Sequence, residues 1–160
     1  MILQGFRTPY KRINLSKPLK VAIIDADFVG KKKHRFPNLV SMKLSGYYKE
    51  LGNDVELKLD YEDLWLYDKV FISKVFTDTP IDENILQLPN VEYGGTGFFY
   101  DKAPKLPYEV EHHMPDYHLY DEWVQQRLDE GGAIEMISNT ILIIRLDSLQ
   151  EVALGSASFV

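Results

Sequence analysis

Two aspartates close an apolar run near the start of the chain, where paired carboxylates can hold a metal ion. Asp25 and Asp27 end the run "PLKVAIIDAD". Hard divalent cations prefer carboxylate oxygens. A metal site of this type also needs an acceptor aspartate after the third apolar run, and "VFISKVF" supplies none. The sequence therefore favours the alternative, in which the two carboxylates cap turns or pair with the basic run "GKKKHR".

Small and hydroxylated residues follow two other apolar runs. Ser73 and Thr77, with Lys74 and Phe76 between them, end or follow the run "KVFIS". Gly94, Gly95, Thr96 and Gly97 form "GGTG" after "NVEY". Glycines let a backbone approach a ligand closely and offer N–H donors, for example to a phosphate group. A simple tight turn explains "GGTG" equally well, and a solvated loop explains "GKKKHR".

Several common chemistries are excluded by the motifs that the chain lacks. It has no G-x-G-x-x-G after its first apolar run and no G-x-x-x-x-G-K-[ST], which argues against dinucleotide and P-loop sites. No serine lies in a nucleophile elbow. The chain has no cysteine, so thiolate ligands and cysteine nucleophiles are ruled out. Its four histidines show no metal-ligand spacing, and we expect no metal site.

The elements that must position these residues alternate between strand and helix. The apolar runs predict strands over residues 18–27, 54–60, 68–76 and 90–97. Spacing of three and four predicts a helix over residues 37–53, stopped by Gly52-Asn53. Residues 61–67 predict a short helix or turn. Residues 79–89 predict a short helix with Thr79 as cap and Pro80 at its first position.

This order predicts an α/β fold with a doubly wound, mainly parallel sheet in three layers, of Rossmann or flavodoxin type. We expect one Rossmann-like domain over residues 1–132, with its core at about 19–100. The proline-rich residues 102–120 predict an extended segment, and about 120–130 a helix with Trp123 and Leu128 inward. Residues 133–160 follow as an atypical tail. Ligands of such sheets bind beyond the carboxyl ends of the strands, where the candidate residues fall.

Composition excludes two classes of partner. The chain has 160 residues and a net charge of −6, which argues against a nucleic-acid surface. No apolar run is long enough to cross a membrane, and the N-terminus lacks the pattern of a secretory signal. We therefore expect a cytoplasmic protein.

Several phrases together carry a resemblance to a known family. In order, they are "IIDAD", "FPNLVSMKLSGYYKELGNDVEL", "YDKVFISKVFT", "VEYGGTGF" and "LPYEVEHHMPDYHLY". They resemble the N-terminal domain of bacterial and phage radical S-adenosylmethionine proteins, a Rossmann-like domain of the cobalamin-binding type that precedes a catalytic barrel. The resemblance covers roughly residues 19–125. Its most specific pieces are Pro37-Asn38, "GGTG" and Pro115-Asp116-Tyr117, so Asn38 and Asp116 join the candidate edge residues.

The resemblance implies cofactors that this chain does not hold. The family continues into a C-x-x-x-C-x-x-C motif that binds a [4Fe–4S] cluster and, through it, S-adenosylmethionine. The absence of cysteine excludes that cluster here, and the absence of Asp-x-His-x-x-Gly argues against cobalamin. We therefore expect no cofactor and no enzymatic activity from this chain alone.

The tail fits this interpretation in another reading frame. The last two bases of a cysteine codon, moved by one base, begin an alanine or valine codon. Ala153, Ala157 and Val160 fall at the C-x-x-x-C-x-x-C spacing. With permitted third bases, all 16 positions of "RLDSLQEVALGSASFV" are compatible with the way the family continues. We interpret residues from about 133 onward as an out-of-frame remnant of the cluster region.

These observations predict an accessory, non-catalytic domain whose partner is the radical enzyme barrel in the intact protein. It would help to enclose a substrate or a partner. One alternative is a self-sufficient module that binds a small or phosphate-bearing ligand through "GKKKHR" and "GGTG". A further alternative is an interaction protein that forms homodimers through its tail, since "NTILIIRLD" has strong strand propensity.

Overall fold

The computed structural model describes residues 17–30 and 37–130. The described residues divide into two compact units, one containing residues 17–30 and 38–116 and the other containing residues 37 and 117–130. The predicted tail, its frame-shifted motif and the basic run beyond Gly30 lie outside the described residues. So does the predicted boundary between residues 132 and 133.

The first unit is built on a parallel sheet of four strands. They are β1 (Lys20–Asp25), β2 (Asp54–Lys58), β3 (Lys69–Ser73) and β4 (Val91–Gly94). Their order is β2-β1-β3-β4, and every pair is parallel. This confirms the predicted α/β class with a doubly wound parallel sheet, in the flavodoxin-like strand order. The chain runs from β1 to β2 on one side of β1, and then crosses back to β3 on its other side. The switch in strand order therefore lies between β1 and β3.

Strand β1 forms the centre of the sheet because it is apolar along its whole length. Val21, Ala22, Ile23 and Ile24 are all fully buried. Such a continuous run suits a strand that is covered on both faces and paired on both edges. The register sets Ile23 between Leu57 of β2 and Phe71 of β3.

Helices and turns cover the two faces of the sheet. Helix α1 (Leu39–Glu50) lies on one face, where the Tyr48 ring is 5.1 Å from that of Phe71. On the other face, a 3-10 turn (Leu64–Leu66) contributes the buried Leu64. Helix α2 (Glu83–Leu86) contributes partly buried side chains to the same apolar cluster. The predicted stop of α1 is confirmed, since Gly52 has a φ of 83° and its N–H donates to Lys49.

Three short elements differ from the sequence prediction. Asp82 caps α2, and not Thr79. The Thr79 hydroxyl donates to Asp27 instead. "TGFF" forms a single helical turn, α3 (Thr96–Phe99), followed by a 3-10 turn (Tyr100–Lys102). Segment 102–120 is not wholly extended, because Tyr108–Glu111 forms the short helix α4.

The described part of the second unit contains helix α5 (Asp121–Asp129). The prediction that Trp123 faces inward is confirmed, since the residue is buried. The prediction for Leu128 is wrong, because its side chain is exposed. The Arg127 guanidinium lies 5.7 Å from the Trp123 ring and also pairs with Glu130, which orders the last turn of the helix.

Candidate functional site

Polar residues gather at the carboxyl ends of β1 and β3, at the switch in strand order. Asp25 and Ser73 are direct partners in the parallel register. The Ala26 N–H donates to the Ser73 carbonyl at 2.9 Å, so the pairing continues past the end of β1. Asp25, Asp27, Ser73 and Lys74 are all buried. We call these four residues, with Asn38 and Thr79, the strand-end cluster.

Asp27 ties the loop after β3 to the end of β1. Its Oδ2 accepts the N–H of Val75 at 2.7 Å, and its Oδ1 accepts the hydroxyl of Thr79. The Asp27 N–H in turn donates to Asp25 Oδ1 at 3.1 Å. Both carboxylate oxygens of Asp27 therefore accept hydrogen bonds from residues 75–79. This agrees with the interpretation in which the carboxylate caps a turn.

Asn38 joins helix α1 to the same cluster. Its Oδ1 accepts the N–H groups of Val40 and Ser41 at 3.0 and 3.4 Å, which caps the helix. Its Nδ2 donates to Ser73 Oγ at 2.8 Å. One amide side chain thus satisfies the start of α1 and the end of β3.

The "GGTG" loop packs against the chain that follows β3. The Lys74 N–H donates to the Gly94 carbonyl at 3.1 Å, and the Gly97 N–H donates to the Lys74 carbonyl at 2.9 Å. A Cβ on Gly95 would lie 2.3 Å from the Lys74 carbonyl oxygen, and φ at Gly95 is 110°. Glycine is required here because two backbone segments touch. This backbone contact explains why Gly95 and Gly97 are glycines, and no bound ligand is needed to explain them.

Lys74 is a buried cation that the sequence placed in this region without giving it a role. Its Nζ donates to the Thr79 carbonyl at 3.2 Å and lies 4.7 Å from the centre of the Phe98 ring. Its position directly after a buried strand is the sequence signal that would have predicted a buried lysine at this site. Thr79 was missed because its position before a proline suggested a helix cap.

Tyr61 is a second residue that sequence reasoning missed. It packs on the apolar cluster of the sheet, and its hydroxyl is buried with no hydrogen-bond partner among the described residues. Burial raises the pKa of Tyr61, and the negative charges of Asp25 and Asp27 raise it further. The phenol is therefore held neutral beside the two carboxylates. Nothing in its sequence context, "LDYEDL", distinguishes it from a surface tyrosine.

Two predicted site residues lie outside the strand-end cluster. Thr77 is exposed on the loop after β3. Asp116 lies beside α1, where its Oδ2 accepts from Ser45 Oγ and Lys49 Nζ, each at 2.7 Å. Ser45 is seven residues beyond Asn38, a rise of about 10 Å along a helix. Asp116 therefore holds segment 107–116 against α1 and does not join the cluster.

Exposed apolar side chains follow the carboxyl ends of β3 and β4. They are those of Val75, Phe76 and Tyr100. The Thr96 hydroxyl donates to the Val75 carbonyl at 3.1 Å, which joins the loop after β3 to the "GGTG" loop. We call these three residues the carboxyl-end apolar surface.

The described histidines have separate partners. His112 Nδ1 is 2.9 Å from the Tyr108 carbonyl oxygen, His113 bridges the Met114 carbonyl and Glu50, and His118 pairs with Asp121. No group of three potential metal ligands occurs in residues 17–30 and 37–130. Within those same ranges, no helix has the length and apolar character needed to cross a membrane.

Comparison with known proteins gives no family assignment. No protein-family model, no curated protein and no solved structure matches this chain.

Proposed function

We propose that this chain is the non-catalytic, accessory N-terminal domain of a radical S-adenosylmethionine protein, with a Rossmann-like fold of the cobalamin-binding type. In the intact protein it would help to enclose a substrate or partner beside the catalytic barrel. The observation that carries the non-catalytic assignment is the internal bonding of the strand-end cluster. Both oxygens of Asp27, both ends of the Asn38 amide and the Lys74 amine all bond to neighbours within the domain.

The cofactors of that family do not fit the residues present. A [4Fe–4S] cluster needs thiolate ligands, and the chain contains no cysteine. A ligand at this edge of the sheet would contact the "GGTG" backbone. That backbone already packs against Lys74. The Asp-x-His-x-x-Gly pattern of cobalamin binders is also absent. The proposed role therefore requires no cofactor bound to this chain.

The carboxyl-end apolar surface supports a contact with the barrel. Val75 and Tyr100 are 47% and 72% exposed, and they lie at the end of the sheet where open α/β domains bind their ligands. Large exposed apolar side chains of this kind mark contact surfaces. We assign this surface to the barrel of the intact protein, because that barrel is the partner that the family architecture places beside the domain.

The alternative of a self-sufficient phosphate-binding module has less support. It needs the N–H groups of the "GGTG" loop as donors to an anion. The N–H of Gly97 donates to Lys74, and those of Phe98 and Phe99 donate to Gly95. The Gly97 donor of the loop is therefore already used, as are the two donors of α3 that follow it.

The first test is the nucleotide sequence from codon 125 to several hundred bases beyond the stop. We expect the other frame to encode three cysteines at the positions of Ala153, Ala157 and Val160 and to continue as a long open frame. Codons that forbid those cysteines would show that the tail is genuine and that the proposal is wrong.

A second test uses the full chain with the barrel polypeptide from that open frame supplied as a separate protein. We expect the two to co-purify, and Val75→Asp to abolish the complex by charging the carboxyl-end apolar surface. Leu51→Asp is the matched control, since Leu51 is also an exposed aliphatic residue but lies at the far end of α1. Equal loss of binding in both variants would argue against a contact through this surface.

A further inference from the structure

Strand β2 offers an open edge at the side of the sheet. Among the described residues, it pairs with β1 alone. The Asp54 N–H donates to Leu19 at 2.9 Å, toward β1. Successive residues of a parallel strand direct their N–H and C=O groups to alternate sides. Val55 and Leu57 therefore direct theirs away from β1, as a template that another strand can extend.

The chain from β2 to the start of β3 carries a concentrated negative charge. Residues 54–68 contain six carboxylates and one lysine, Lys58, in a chain of net charge −6. Lys58 is itself paired with Asp60 at 2.9 Å. Asp54 is exposed at the start of the strand. An approaching segment thus meets a stretch of net negative charge, and the nearest cation outside that stretch is the exposed Lys20, the register partner of Asp54 on β1.

The exposed Leu66 lies next to the open edge of β2, and the exposed Trp65 directly precedes it in the chain. Trp65 is 76% and Leu66 is 51% exposed on the 3-10 turn. A shallow cavity of about 90 Å³ is lined by Lys20, Asp54, Glu56, Leu66 and Tyr67. Two carboxylates, one lysine and two apolar or aromatic side chains line it, so it suits the end of one cationic side chain with its aliphatic stem. The Tyr67 hydroxyl bonds to Glu56, which fixes the wall of this cavity beside β2.

We propose that the β2 edge, together with Trp65 and Leu66, is a docking site for an extended basic segment of a partner protein. The segment adds to the sheet as a fifth strand through Val55 and Leu57. Its cations pair with the carboxylates of Asp54 and Glu56, and one of these cationic side chains enters the cavity beside Leu66. Main-chain bonds supply affinity in this mode of recognition, and alternate side chains supply specificity.

Charge decides between this partner and a second copy of the chain. Antiparallel pairing of two β2 strands centred on Glu56 would oppose that carboxylate to itself, and like charges in directly opposed positions are destabilising. The two copies would also bring their carboxylate-rich residues 54–68 together. A basic segment avoids both of these repulsions between like charges. The site lies at the amino ends of β1 and β2, away from the carboxyl-end apolar surface, so it adds a function to the accessory role proposed above.

The test follows amide hydrogen exchange in the full chain by NMR. The probe is an N-acetylated seven-residue peptide that alternates lysine and valine. We expect exchange at Val55 and Leu57 to slow by about tenfold or more at saturating peptide, because their N–H groups become hydrogen bonded. Binding should weaken as salt rises. A peptide with glutamate in place of lysine, and a lysine peptide with a central proline, should not bind.

Three variants of the protein separate the parts of the site. Val55→Pro removes one outward N–H without breaking the ladder to β1 and should abolish binding. Trp65→Ala removes an exposed anchor and should weaken binding by about tenfold. Tyr108→Ala is its matched control, since Tyr108 is 70% exposed on α4, and it should bind as the unmodified chain does.

Several results would overturn the proposal. These are no binding of the lysine peptide, unchanged exchange at Val55 and Leu57 in the bound state, or equal binding by the glutamate peptide. Equal weakening by Trp65→Ala and Tyr108→Ala would do the same. Concentration-dependent protection of Val55 and Leu57 without peptide, with a dimer in sedimentation velocity, would assign the edge to a second copy instead.

Discussion

The Asn38 amide donates to the Ser73 hydroxyl at 2.8 Å, and this bond joins the start of helix α1 to the end of strand β3. The two residues are 35 positions apart. The same side chain caps α1 through its oxygen. Asn38 therefore connects α1 to β3 at the switch in strand order.

Replacing Asn38 by alanine should lower the free energy of unfolding by about 2–3 kcal/mol, because a helix cap and a buried hydrogen bond are lost together. Ser73→Ala should cost only about 1 kcal/mol, since it removes the hydrogen bond and keeps the cap. Urea unfolding of the full chain measures both values. Equal costs for the two variants would show that the cap contributes little.

The sheet could be predicted from sequence because its signals are local. Four consecutive apolar residues identify β1, and Gly52-Asn53 identifies the end of α1. The site could not be predicted in the same way, because its bonds join distant residues. Asp27 and Thr79 are 52 positions apart, and Ser45 and Asp116 are 71 positions apart. No periodicity in the chain reports such pairs.

Thr79 illustrates how a distant contact overrides a local preference. Its position before Pro80 and two acidic residues is typical of a helix cap. In the structure its hydroxyl bonds to Asp27 and its carbonyl accepts from Lys74. Asp82 then caps α2 instead. The existence of helix α2 was therefore predicted correctly, but its capping residue was predicted wrongly.

Gly95→Ala should destabilise the domain by about 3 kcal/mol or more, because it combines an unfavourable φ with a backbone clash. The added Cβ would lie 2.3 Å from the Lys74 carbonyl oxygen. Gly52→Ala is the matched control, since φ there is also positive but nothing lies within 4 Å. We expect the control to cost about 1 kcal/mol. Thermal unfolding and soluble yield measure the difference, and similar losses would contradict the clash.

Tyr61→Phe should make the domain more resistant to alkali. Burial raises the pKa of Tyr61, followed by the charges of Asp25 and Asp27. A raised pKa in the folded state gives stability that is complete below the unfolded pKa of about 10 and is lost as pH rises above it. The variant lacks this titration, so its unfolding free energy should fall less between pH 9 and pH 11.5.

At pH 8 the same variant should be as stable as the unmodified chain, or more stable by up to about 1 kcal/mol. The reason is that the variant no longer buries a hydroxyl without a partner among the described residues. Burial also raises the pKa of Tyr48 and Tyr67, so part of the alkaline loss remains. A variant less stable than the unmodified chain at pH 8 would show that the hydroxyl makes a stabilising bond.

Asp116→Ala should loosen the contact of segment 107–116 with α1, although the Asp116 N–H still donates to the Met42 carbonyl. The change removes the acceptor of the buried Ser45 hydroxyl and of Lys49. We expect faster amide exchange in residues 107–116 and a loss of about 1–2 kcal/mol. Glu111→Ala is the control, because Lys43 still donates to the residue 111 carbonyl after that change. Equal exchange in both variants would assign the segment's position to other contacts.

The central position of β1 has a consequence for how the chain is made. This strand leaves the ribosome first, yet its two neighbours end at Lys58 and Ser73. An apolar strand with both edges open is a template for pairing with other chains. During synthesis, β1 therefore stays unpaired on one side until β3 has emerged. Conditions that slow translation between these two points should raise the demand for chaperones.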